Sequence, residues 1–293
     1  MAFNSIEGCG GGDTHRYNYY MKQFDRSYHD TITLPKLIIA WREFLKGKSK
    51  RTDVLLFQAR LMDNIYLLLQ ELESKLYVHG EYKKFNISDP KPRIIHKATV
   101  RDRLLHHLLY QELYPYFDKK FIFDSYSCRR EKGTHKALYR FRNLARKLSC
   151  NYARPCWVLQ CDIRKFFANI DHAILKKILA SYISDKDILW LLDRVIGSFH
   201  TEGKQNIGLP LGNLTSQLLV NVYMNEFDQF VKRELKADHY LRYADDFIVL
   251  SADRNQLEGL LLELENFLYQ KLCLSLHPDK VKIKTFSSGV DFL

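Results

Sequence analysis

Cysteine and proline are scarce in this sequence of 293 residues, which contains six Cys and seven Pro. No two cysteines form a C-x-x-C pair, and no histidine stands at zinc-finger spacing from them, so neither a redox motif nor a zinc finger is predicted. The cysteines are interpreted as reduced residues that mostly pack in the interior. A structural zinc ion held by Cys150, Cys156 and Cys161 stays open as an alternative.

Long hydrophobic runs and the common catalytic motifs are also missing. No apolar run approaches the roughly 18 residues that a membrane span requires, and residues 1–20 are Gly-rich and polar rather than secretory. A cytoplasmic protein with no membrane partner is therefore predicted. The motifs G-x-x-x-x-G-K-[ST], H-E-x-x-H and G-x-S-x-G are absent, so these catalytic centres offer no rival site.

Basic residues, by contrast, are abundant. The chain has 45 Lys and Arg against 34 Asp and Glu, which gives a formal net charge of +11 and an isoelectric point of about 9.2. A charge of this size favours a polyanionic partner, and nucleic acid is the leading candidate. Hydrophobic residues make up 46% of the chain, which is enough to fill the core of one large domain or two.

The first half of the chain is expected to be mainly helical. Residues 1–30, with G-C-G-G-G-D and scattered charges, predict a loose N-terminal arm. Helical spacing of apolar residues then alternates with a basic linker and an extended segment that contains two prolines. The expected elements are helices over residues 34–46 and 54–76, the basic linker 46–51, an extended segment 82–95 and a helix over 99–114.

The second half predicts an α+β domain with the order β-α-β-β-α-β, the split βαβ or ferredoxin-like pattern. Its expected elements are a strand over residues 156–162, helices over 171–183 and 213–235, a hairpin around 245–246, a helix over 255–272 and a strand over 280–285. Asp171 and Asp253 stand where they would cap helices. In this fold Asp162 ends a central strand and would lie beside Asp245 and Asp246.

The stretch R-Y-A-D-D-F-I-V-L, residues 242–250, places two like charges between aromatic and β-branched residues and predicts a hairpin with an acidic tip. Taken alone, such a pair is more often a solvated turn. Three carboxylates that converge in a basic protein instead suit a two-metal phosphoryl-transfer site, because Mg²⁺ prefers carboxylate oxygens and substrate phosphates.

Residues from about 34 to 293 resemble the reverse transcriptases of prokaryotes that are related to those of group II introns. Y-A-D-D (243–246) and D-I-R-K-F-F (162–167) resemble the two aspartate motifs of the palm. Five further motifs stand in the expected order: K-P-R-I-I (91–95), R-D-R-L-L-H-H (101–107), S-Y-S-C-R-R (125–130), L-S-L-H-P-D-K (274–280) and G-V-D-F-L (289–293).

The resemblance implies a right-hand polymerase with fingers over residues 31–155 and a palm over 156–293 that ends at the primer-grip motif. The thumb expected after that motif is absent or truncated. The implied substrates are an RNA template, a DNA or RNA primer and dNTPs, and the implied cofactors are two Mg²⁺ ions, for which Mn²⁺ can substitute.

The same resemblance assigns roles to individual residues. Asp162, Asp245 and Asp246, with the backbone of Ile163, would hold the metal ions. Lys91 and Arg93 would clamp the triphosphate, for which a guanidinium fork is well shaped. Phe167 falls at the steric gate that crowds a ribose 2′-hydroxyl, although it can also be read as a core residue. Lys280 would protonate the departing pyrophosphate or, alternatively, be a solvated turn residue.

G-L-P-L-G-N-L-T-S-Q (208–217) refines the resemblance. Most reverse transcriptases have Gln where this chain has Leu211, and an aliphatic residue there, followed by Ser216 and Gln217, resembles the error-prone enzymes of diversity-generating retroelements. Gln217 belongs to the implied nucleotide site, and a small, basic, oligomeric accessory protein is an implied partner. Losing a polar contact at Leu211 would lower discrimination between nucleotides.

Three alternatives stay open. The first is a group II intron, retron or phage-defence reverse transcriptase, which uses the same chemistry for another purpose. The second is a nucleic-acid-binding protein that keeps the palm but does not polymerise. The third is a nucleotide cyclase on the same split βαβ palm, which the fingers motifs and the basic charge disfavour.

Overall fold

The structure is a computed structural model that describes residues 23–88 and 92–293. Two of the sequence-based expectations concern residues outside these ranges. Residues 1–22 of the predicted arm are outside them, and so is Lys91.

The last part of the predicted arm is packed against the domain rather than loose. Phe24 is buried, and its N–H donates to the carbonyl of Tyr182 at 2.9 Å. Tyr28 is also buried, and its hydroxyl donates to the carbonyl of Leu72 at 2.8 Å. These two aromatic side chains remove enough apolar surface from water to anchor the segment, a contribution that the scattered charges around them concealed.

The described residues form ten α-helices and six β-strands, with short 3₁₀ turns between some of them. The helices are α1 (Tyr28–Thr31), α2 (Leu34–Leu45), α3 (Thr52–Gln58), α4 (Leu61–Glu73), α5 (Val100–Phe117), α6 (Thr134–Leu148), α7 (His172–Tyr182), α8 (Lys186–Gly197), α9 (Leu214–Gln229) and α10 (Arg254–Leu272). The strands are β1 (Lys83–Ile87), β2 (Arg93–Lys97), β3 (Trp157–Asp162), β4 (Tyr240–Tyr243), β5 (Asp246–Ser251) and β6 (Lys282–Thr285).

The second half of the chain forms the predicted ferredoxin-like palm. Its four strands lie in the order β4-β5-β3-β6 and every neighbouring pair is antiparallel. The order β3, α7, β4, β5, α10, β6 is the expected β-α-β-β-α-β pattern, with α8 and α9 added to the first connection. Strands β3 and β5 are the central pair, as the proposed convergence of the aspartates requires.

Helix caps begin the two palm helices where the sequence predicted them. The side chain of Asp171 accepts the N–H of Ile174 at 3.0 Å at the start of α7. The side chain of Asp253 accepts the N–H of Asn255 at 2.9 Å at the start of α10. Each carboxylate satisfies a backbone donor that the first turn of a helix leaves free.

The two faces of the palm sheet have different neighbours. Successive strand residues point to opposite faces, and on β3 Leu159 and Cys161 pack into the large core that α7, α9 and α10 cover. Val158 packs instead in a smaller cluster with Phe141 and Leu144 of α6. Asp162 continues the alternation of Val158, so it belongs to the face that α6 partly covers.

In the fingers, the expected single helix over residues 54–76 is two helices, α3 and α4, with a break at Ala59 and Arg60. Arg60 has φ −128° and ψ 44°, outside the helical region, and the side chain of Asn64 donates to the Phe57 carbonyl at 2.8 Å. Leu55 of α3 is exposed to solvent, although the apolar spacing of the single predicted helix would have buried it.

The other elements expected in the first half are confirmed, and the structure adds α1 and α6. The extended segment is the antiparallel hairpin of β1 and β2, and the helix predicted over residues 99–114 is α5, which the Thr99 side chain caps. The sequence interpretation had no helix at α6. Ala137, Phe141, Leu144 and Ala145 form the buried side of α6, and the helix contains no acidic residue.

The predicted long helix over residues 213–235 is confirmed as α9, continued by a π-helical turn, Phe230–Glu234. It is buried on more than the expected apolar stripe, because the polar side chains of Asn221, Asn225 and Asp228 are buried as well. No helix in the described part of the chain is both long and apolar enough to cross a membrane.

The alternative of a zinc site at three cysteines is wrong. Cys156 and Cys161 are buried in separate hydrophobic clusters, and Cys150 is exposed. All three are free thiols. Burial raises the pKa of the Cys156 thiol to about 11, which disfavours the thiolate that a zinc ligand must be.

Candidate active site

The predicted acidic hairpin exists, and its turn is the two-residue segment between β4 and β5. Tyr243 pairs with Asp246, so Ala244 and Asp245 form the turn. Ala244 has φ +56°, a left-handed conformation that is uncommon for a residue other than glycine. The carbonyl of Asp245 accepts the N–H of Ile163 at 3.1 Å, which fixes the turn to the end of β3.

Strand register brings the three aspartates together. Asp162 lies opposite Asp246 in the antiparallel pair of β3 and β5, and Asp245 stands next to it in the turn. The carbonyl of Asp162 accepts the N–H of His277 at 2.7 Å, which ties the end of β3 to the segment before β6. The structure thus confirms that these side chains converge, although their roles remain predictions.

Burial and neighbouring carboxylates raise the pKa values of Asp245 and Asp246. The pKa of Asp246 is raised to about 7, first by burial and then by the charges of Asp245 and Asp162. Burial and the charge of Asp162 also raise the pKa of Asp245. Like charges that share a poorly solvated corner disfavour ionisation of both groups, and a cation placed between them would reverse this effect.

One cation of the protein already reaches this corner. The ammonium nitrogen Nζ of Lys280 lies 2.7 Å from Oδ2 of Asp162, and this hydrogen bond raises the pKa of Lys280. Lys280 belongs to a short 3₁₀ turn, Pro278–Lys280. Lys280 is about half exposed in this turn and contacts a site carboxylate, and its role as a proton donor stays a prediction.

The donor set fits hard divalent cations but is not a closed cage. Within residues 23–88 and 92–293, no three carboxylate, imidazole or thiol side chains are grouped so as to hold a metal ion by themselves. Magnesium sites commonly use one or two carboxylates and are completed by water and substrate phosphates. The side chain of Ile163 is buried and has no donor atom, so only its backbone carbonyl could join the set.

The residues predicted to contact a nucleotide lie on several elements around the aspartates. Arg93 begins β2 in the fingers hairpin and is exposed. The pKa of Asp245 is raised overall, and the charge of Arg93 offsets a small part of that rise. Phe167 is half-buried, with its ring edge-on to the buried ring of Phe166. Phe166 is therefore the core residue of the pair, and Phe167 retains an accessible surface.

The loop that carries Leu211 bridges the fingers and the palm. The carbonyl of Leu211 accepts the N–H of His96 in β2 at 3.0 Å, and the N–H of Leu209 donates to the carbonyl of Phe167 at 2.8 Å. Leu211 is itself half-buried. Gln217, also half-buried, lies in the first turns of α9. Its backbone carbonyl accepts a hydrogen bond from the side-chain amide of Asn221 at 3.3 Å.

Two glycines allow this loop to fit so closely. Gly208 has φ +105°, and a Cβ atom there would lie 2.2 Å from the hydroxyl oxygen of Thr201. Gly212 has φ +98°, and a Cβ atom would lie 2.6 Å from the Cγ2 atom of Ile95 in β2. The spacing of glycines in G-L-P-L-G therefore reflects both backbone conformation and close approach.

The sequence interpretation missed a buried ion pair directly behind the hairpin. Arg242 and Asp228 are both fully buried, with Nη2 of Arg242 2.7 Å from Oδ2 of Asp228. An arginine in an otherwise apolar strand, next to the aspartates, was the available signal. Its partner on α9 could not be identified from the sequence, because Asn221, Asn225 and Asp228 are all polar residues of that helix.

An antiparallel palm with aspartates at the end of its central strands is an arrangement suited to metal-assisted phosphoryl transfer. Residues 82–293 match the family described as reverse transcriptase (RNA-dependent DNA polymerase). The chain belongs to this family of RNA-directed DNA polymerases, whose members use divalent metal ions. The nucleotide cyclase alternative is thereby excluded.

Similar proteins include intron-encoded proteins. The chain is 28% identical to protein YkfC of Escherichia coli K12 over 81% of its own length and 72% of YkfC. It is 22% identical to the group II intron-encoded protein LtrA of Lactococcus lactis, covering 92% of this chain but 56% of LtrA. It spans only 30% of the putative COX1/OXI3 intron 2 protein of Saccharomyces cerevisiae, with 21% identity.

Solved telomerases share the fold. The apo telomerase of Candida tropicalis superimposes with a TM-score of 0.53 and 14% identity, over 74% of this chain and 52% of the telomerase. The telomerase of Candida albicans gives a TM-score of 0.54 over 72% of this chain. These similarities support the assignment of fingers and palm.

Proposed function

We propose that the chain extends a primer with dNTPs on an RNA template, by phosphoryl transfer at Asp162, Asp245 and Asp246. The observation that carries the proposal is the register of β3 and β5, which pairs Asp162 with Asp246 and leaves Asp245 in the turn beside them. Two Mg²⁺ ions, or Mn²⁺ in their place, would lower the pKa of the primer 3′-hydroxyl and neutralise charge on the leaving pyrophosphate.

Protein groups around the aspartates have complementary tasks. Lys280 keeps its proton because Asp162 raises its pKa, so it can donate that proton from Nζ to the departing pyrophosphate. Arg93, together with Lys91, holds the triphosphate from the fingers side. Phe167 presents its ring to the sugar and excludes the 2′-hydroxyl of a ribonucleotide.

Helix α6 is suited to hold the template and primer on the same face of the palm. Its N-terminal residue Thr134 donates through its hydroxyl to the hydroxyl of Tyr243, next to the catalytic turn, at 3.1 Å. Its outer side exposes basic residues and a tyrosine that is 70% exposed. A basic stripe with an aromatic ring and no acid is favourable for a nucleic-acid backbone.

We assign the chain to a diversity-generating retroelement, working with a small, basic accessory protein, because of Leu211. The leucine lies in the loop before α9, which is hydrogen-bonded to Phe167 on one side and to β2 on the other. Its side chain cannot hydrogen-bond to a base pair or sugar. The group II intron alternative is favoured by a different observation, the similarity to LtrA and the intron-encoded proteins of yeast. Neighbouring DNA distinguishes them: a pair of near-repeats that differ at adenines supports diversification.

Primer extension on a defined RNA template tests the proposed reaction. The wild type should incorporate dNTPs only with Mg²⁺ or Mn²⁺, and Asp245→Asn should retain less than about 1% of that rate, a loss of roughly 3 kcal/mol of transition-state stabilisation. Asp193→Asn is the matched control, since Asp193 lies on α8 and is half exposed. Retention of activity by Asp245→Asn would refute the metal site, and a folded but inactive wild type would favour a palm that only binds nucleic acid.

A further inference from the structure

Arg242 is the largest fully buried side chain in the described residues, and all of its hydrogen-bond donors have acceptors. A guanidinium group carries five N–H donors in a fixed plane. Nε donates to Oδ1 of Asp228 at 2.7 Å, Nη2 to Oδ2 of Asp228 at 2.7 Å and to Oγ of Ser125 at 3.2 Å, and Nη1 to Oδ1 of Asn221 at 3.3 Å and to the carbonyl of Ala244 at 3.0 Å.

The contact with Ala244 acts directly on the catalytic turn. Ala244 immediately precedes Asp245 and adopts an unfavourable left-handed conformation. Its carbonyl is held by Arg242 from inside the domain, and the next carbonyl, that of Asp245, is held by the N–H of Ile163. Two consecutive carbonyl groups of the turn are therefore fixed, one from β4 and one from the residue that follows β3.

The turn needs such restraint because it holds like charges together. Asp245 and Asp246 repel each other and Asp162, and a mobile turn would relieve the repulsion by moving apart. Arg242 opposes that movement without neutralising the site, because its charge is compensated by Asp228 and its hydrogen bonds include none to the three aspartates. Arg242 thus makes no contact with the carboxylates, which stay available to an added cation.

The remaining contacts connect the turn to the rest of the domain. The Asn221 amide, which accepts from Arg242, also donates to the carbonyl of Ser127 at 2.9 Å. The backbone of Arg242 pairs with the same segment, since its N–H donates to Asp124 and its carbonyl accepts from Tyr126. Arg242 therefore joins β4, α9 and the segment that leads from the fingers into α6.

We propose that Arg242 is a positioning residue that sets the place of Asp245, and with it the affinity of the site for divalent cations. This proposal rests on the proposed metal-dependent function of the aspartates. It assigns the buried pair with Asp228 a purpose beyond stability: Asp228 orients the guanidinium so that one N–H always points to the Ala244 carbonyl.

The test compares Arg242→Lys with Tyr240→Phe. Lysine keeps a positive charge opposite Asp228, but a single nitrogen cannot reproduce the planar fork that reaches Asp228, Ser125 and Ala244 together. Tyr240→Phe removes the hydroxyl that donates to the same Oδ1 atom of Asp228 at 2.7 Å, and the tyrosine hydroxyl does not contact the turn. Both variants disturb one buried carboxylate, and only the first releases the turn.

The measurement is direct titration of the full chain with Mn²⁺ by electron paramagnetic resonance, without substrate, alongside thermal melting. Arg242→Lys should raise the concentration of Mn²⁺ needed for half-saturation by at least about fivefold, and Tyr240→Phe should leave it within about twofold. Primer–template affinity, measured by fluorescence anisotropy, should stay within about twofold for both variants. Equal shifts in Mn²⁺ binding for the two variants, or no shift for Arg242→Lys, would overturn the proposal.

A milder variant covers the case in which Arg242→Lys does not fold. Asn221→Ala removes the second acceptor of the Nη1 group but keeps the ion pair with Asp228. It should raise the Mn²⁺ half-saturation by about threefold, above the change allowed for Tyr240→Phe, with a smaller loss of melting temperature than Arg242→Lys. If the wild type binds Mn²⁺ but does not extend a primer, the proposed polymerisation alone is refuted. If neither Arg242→Lys nor Asn221→Ala changes Mn²⁺ binding, the positioning role alone is refuted.

Discussion

Two charged clusters lie on either side of the same hairpin turn, and they are built in opposite ways. Behind the turn, Arg242 and Asp228 are fully buried, carry opposite charges and satisfy each other's hydrogen bonds. In front of it, Asp162, Asp245 and Asp246 are like-charged groups, and the pKa values of Asp245 and Asp246 are raised by burial and by their carboxylate neighbours, with Lys280 as a partial counterion. A buried charge is stable only when it is paired, so the front cluster is incomplete as a structural element.

The difference separates residues that hold the fold from residues that are available for chemistry. A balanced pair gains nothing from an added cation, whereas an acidic cluster gains charge compensation from one. Removing a carboxylate should therefore have opposite effects in the two places. The predictions below test this contrast, beginning with the largest effect.

Asp228→Asn should lower the free energy of unfolding by about 3 to 5 kcal/mol, because it leaves the buried guanidinium of Arg242 without its counter-charge. Asp245→Asn should not lower stability, since it removes one of three mutually repelling charges. Chemical denaturation of both variants in metal-free buffer measures the contrast. Similar losses for the two substitutions would show that the front cluster is a structural site like the one behind it.

Much of this arrangement could be predicted from the sequence. Alternating strand patterns, helix caps at Asp171 and Asp253 and the acidic hairpin are local signals, and they led to the observed palm. The convergence of Asp162 with Asp245 and Asp246 followed from strand order alone, because side chains at the ends of neighbouring central strands must meet.

What could not be predicted depends on packing between distant segments. The break between α3 and α4 leaves the apolar spacing intact, and the hydrogen bond of Asn64 that accompanies it carries no sequence signature. Phe24 and Tyr28 find their partners far along the chain, so the end of the arm looked loose. The pairing of Arg242 with Asp228 likewise depends on how α9 crosses the sheet.

The aromatic wall of the site should discriminate by shape rather than by charge. Phe167→Ala should lower the preference for dNTPs over rNTPs by at least about tenfold, or roughly 1.4 kcal/mol, because it opens space for a 2′-hydroxyl. Single-nucleotide incorporation on one RNA template measures the ratio. Phe167→Tyr retains the ring and should keep the preference, and an unchanged ratio in Phe167→Ala would mean that the ring serves only the core.

Leu211 should affect accuracy more than rate, since its side chain bears no charge or hydrogen-bonding group. Leu211→Gln should reduce misincorporation opposite template adenine by about fivefold, the effect of one added hydrogen bond of about 1 kcal/mol. Leu211→Met is the control, because it conserves volume without adding a polar group. Sequencing of cDNA made on an adenine-rich RNA compares the variants, and equal error spectra for Leu211→Gln and wild type would exclude a role in fidelity.

The smallest predicted effect is a dependence of stability on pH that comes from the front cluster alone. The pKa of Asp246 is raised from 3.8 to about 7 in the folded chain, so the folded state binds more protons than the unfolded state between these values. Its contribution to stability is therefore complete below about pH 4 and is lost as the pH rises towards 7. Because Asp246 is partly exposed, solvent screening reduces the loss to about 1 kcal/mol, or roughly 2 to 4 °C in melting temperature.

Magnesium and a matched variant distinguish this effect from other titrations. Buried His106 and His107, whose pKa values are lowered to about 3 and about 4, titrate over the same range with the opposite sign. The effect of Asp246 is therefore read as the difference in slope between the wild type and Asp246→Asn. Saturating Mg²⁺ should abolish that difference, because a bound cation favours the ionised carboxylates. Asp193→Asn, on the outer surface of α8, should leave the slope unchanged. Equal slopes for the wild type and Asp246→Asn would show that Asp246 does not titrate in this range and would remove the main electrostatic distinction between the two clusters.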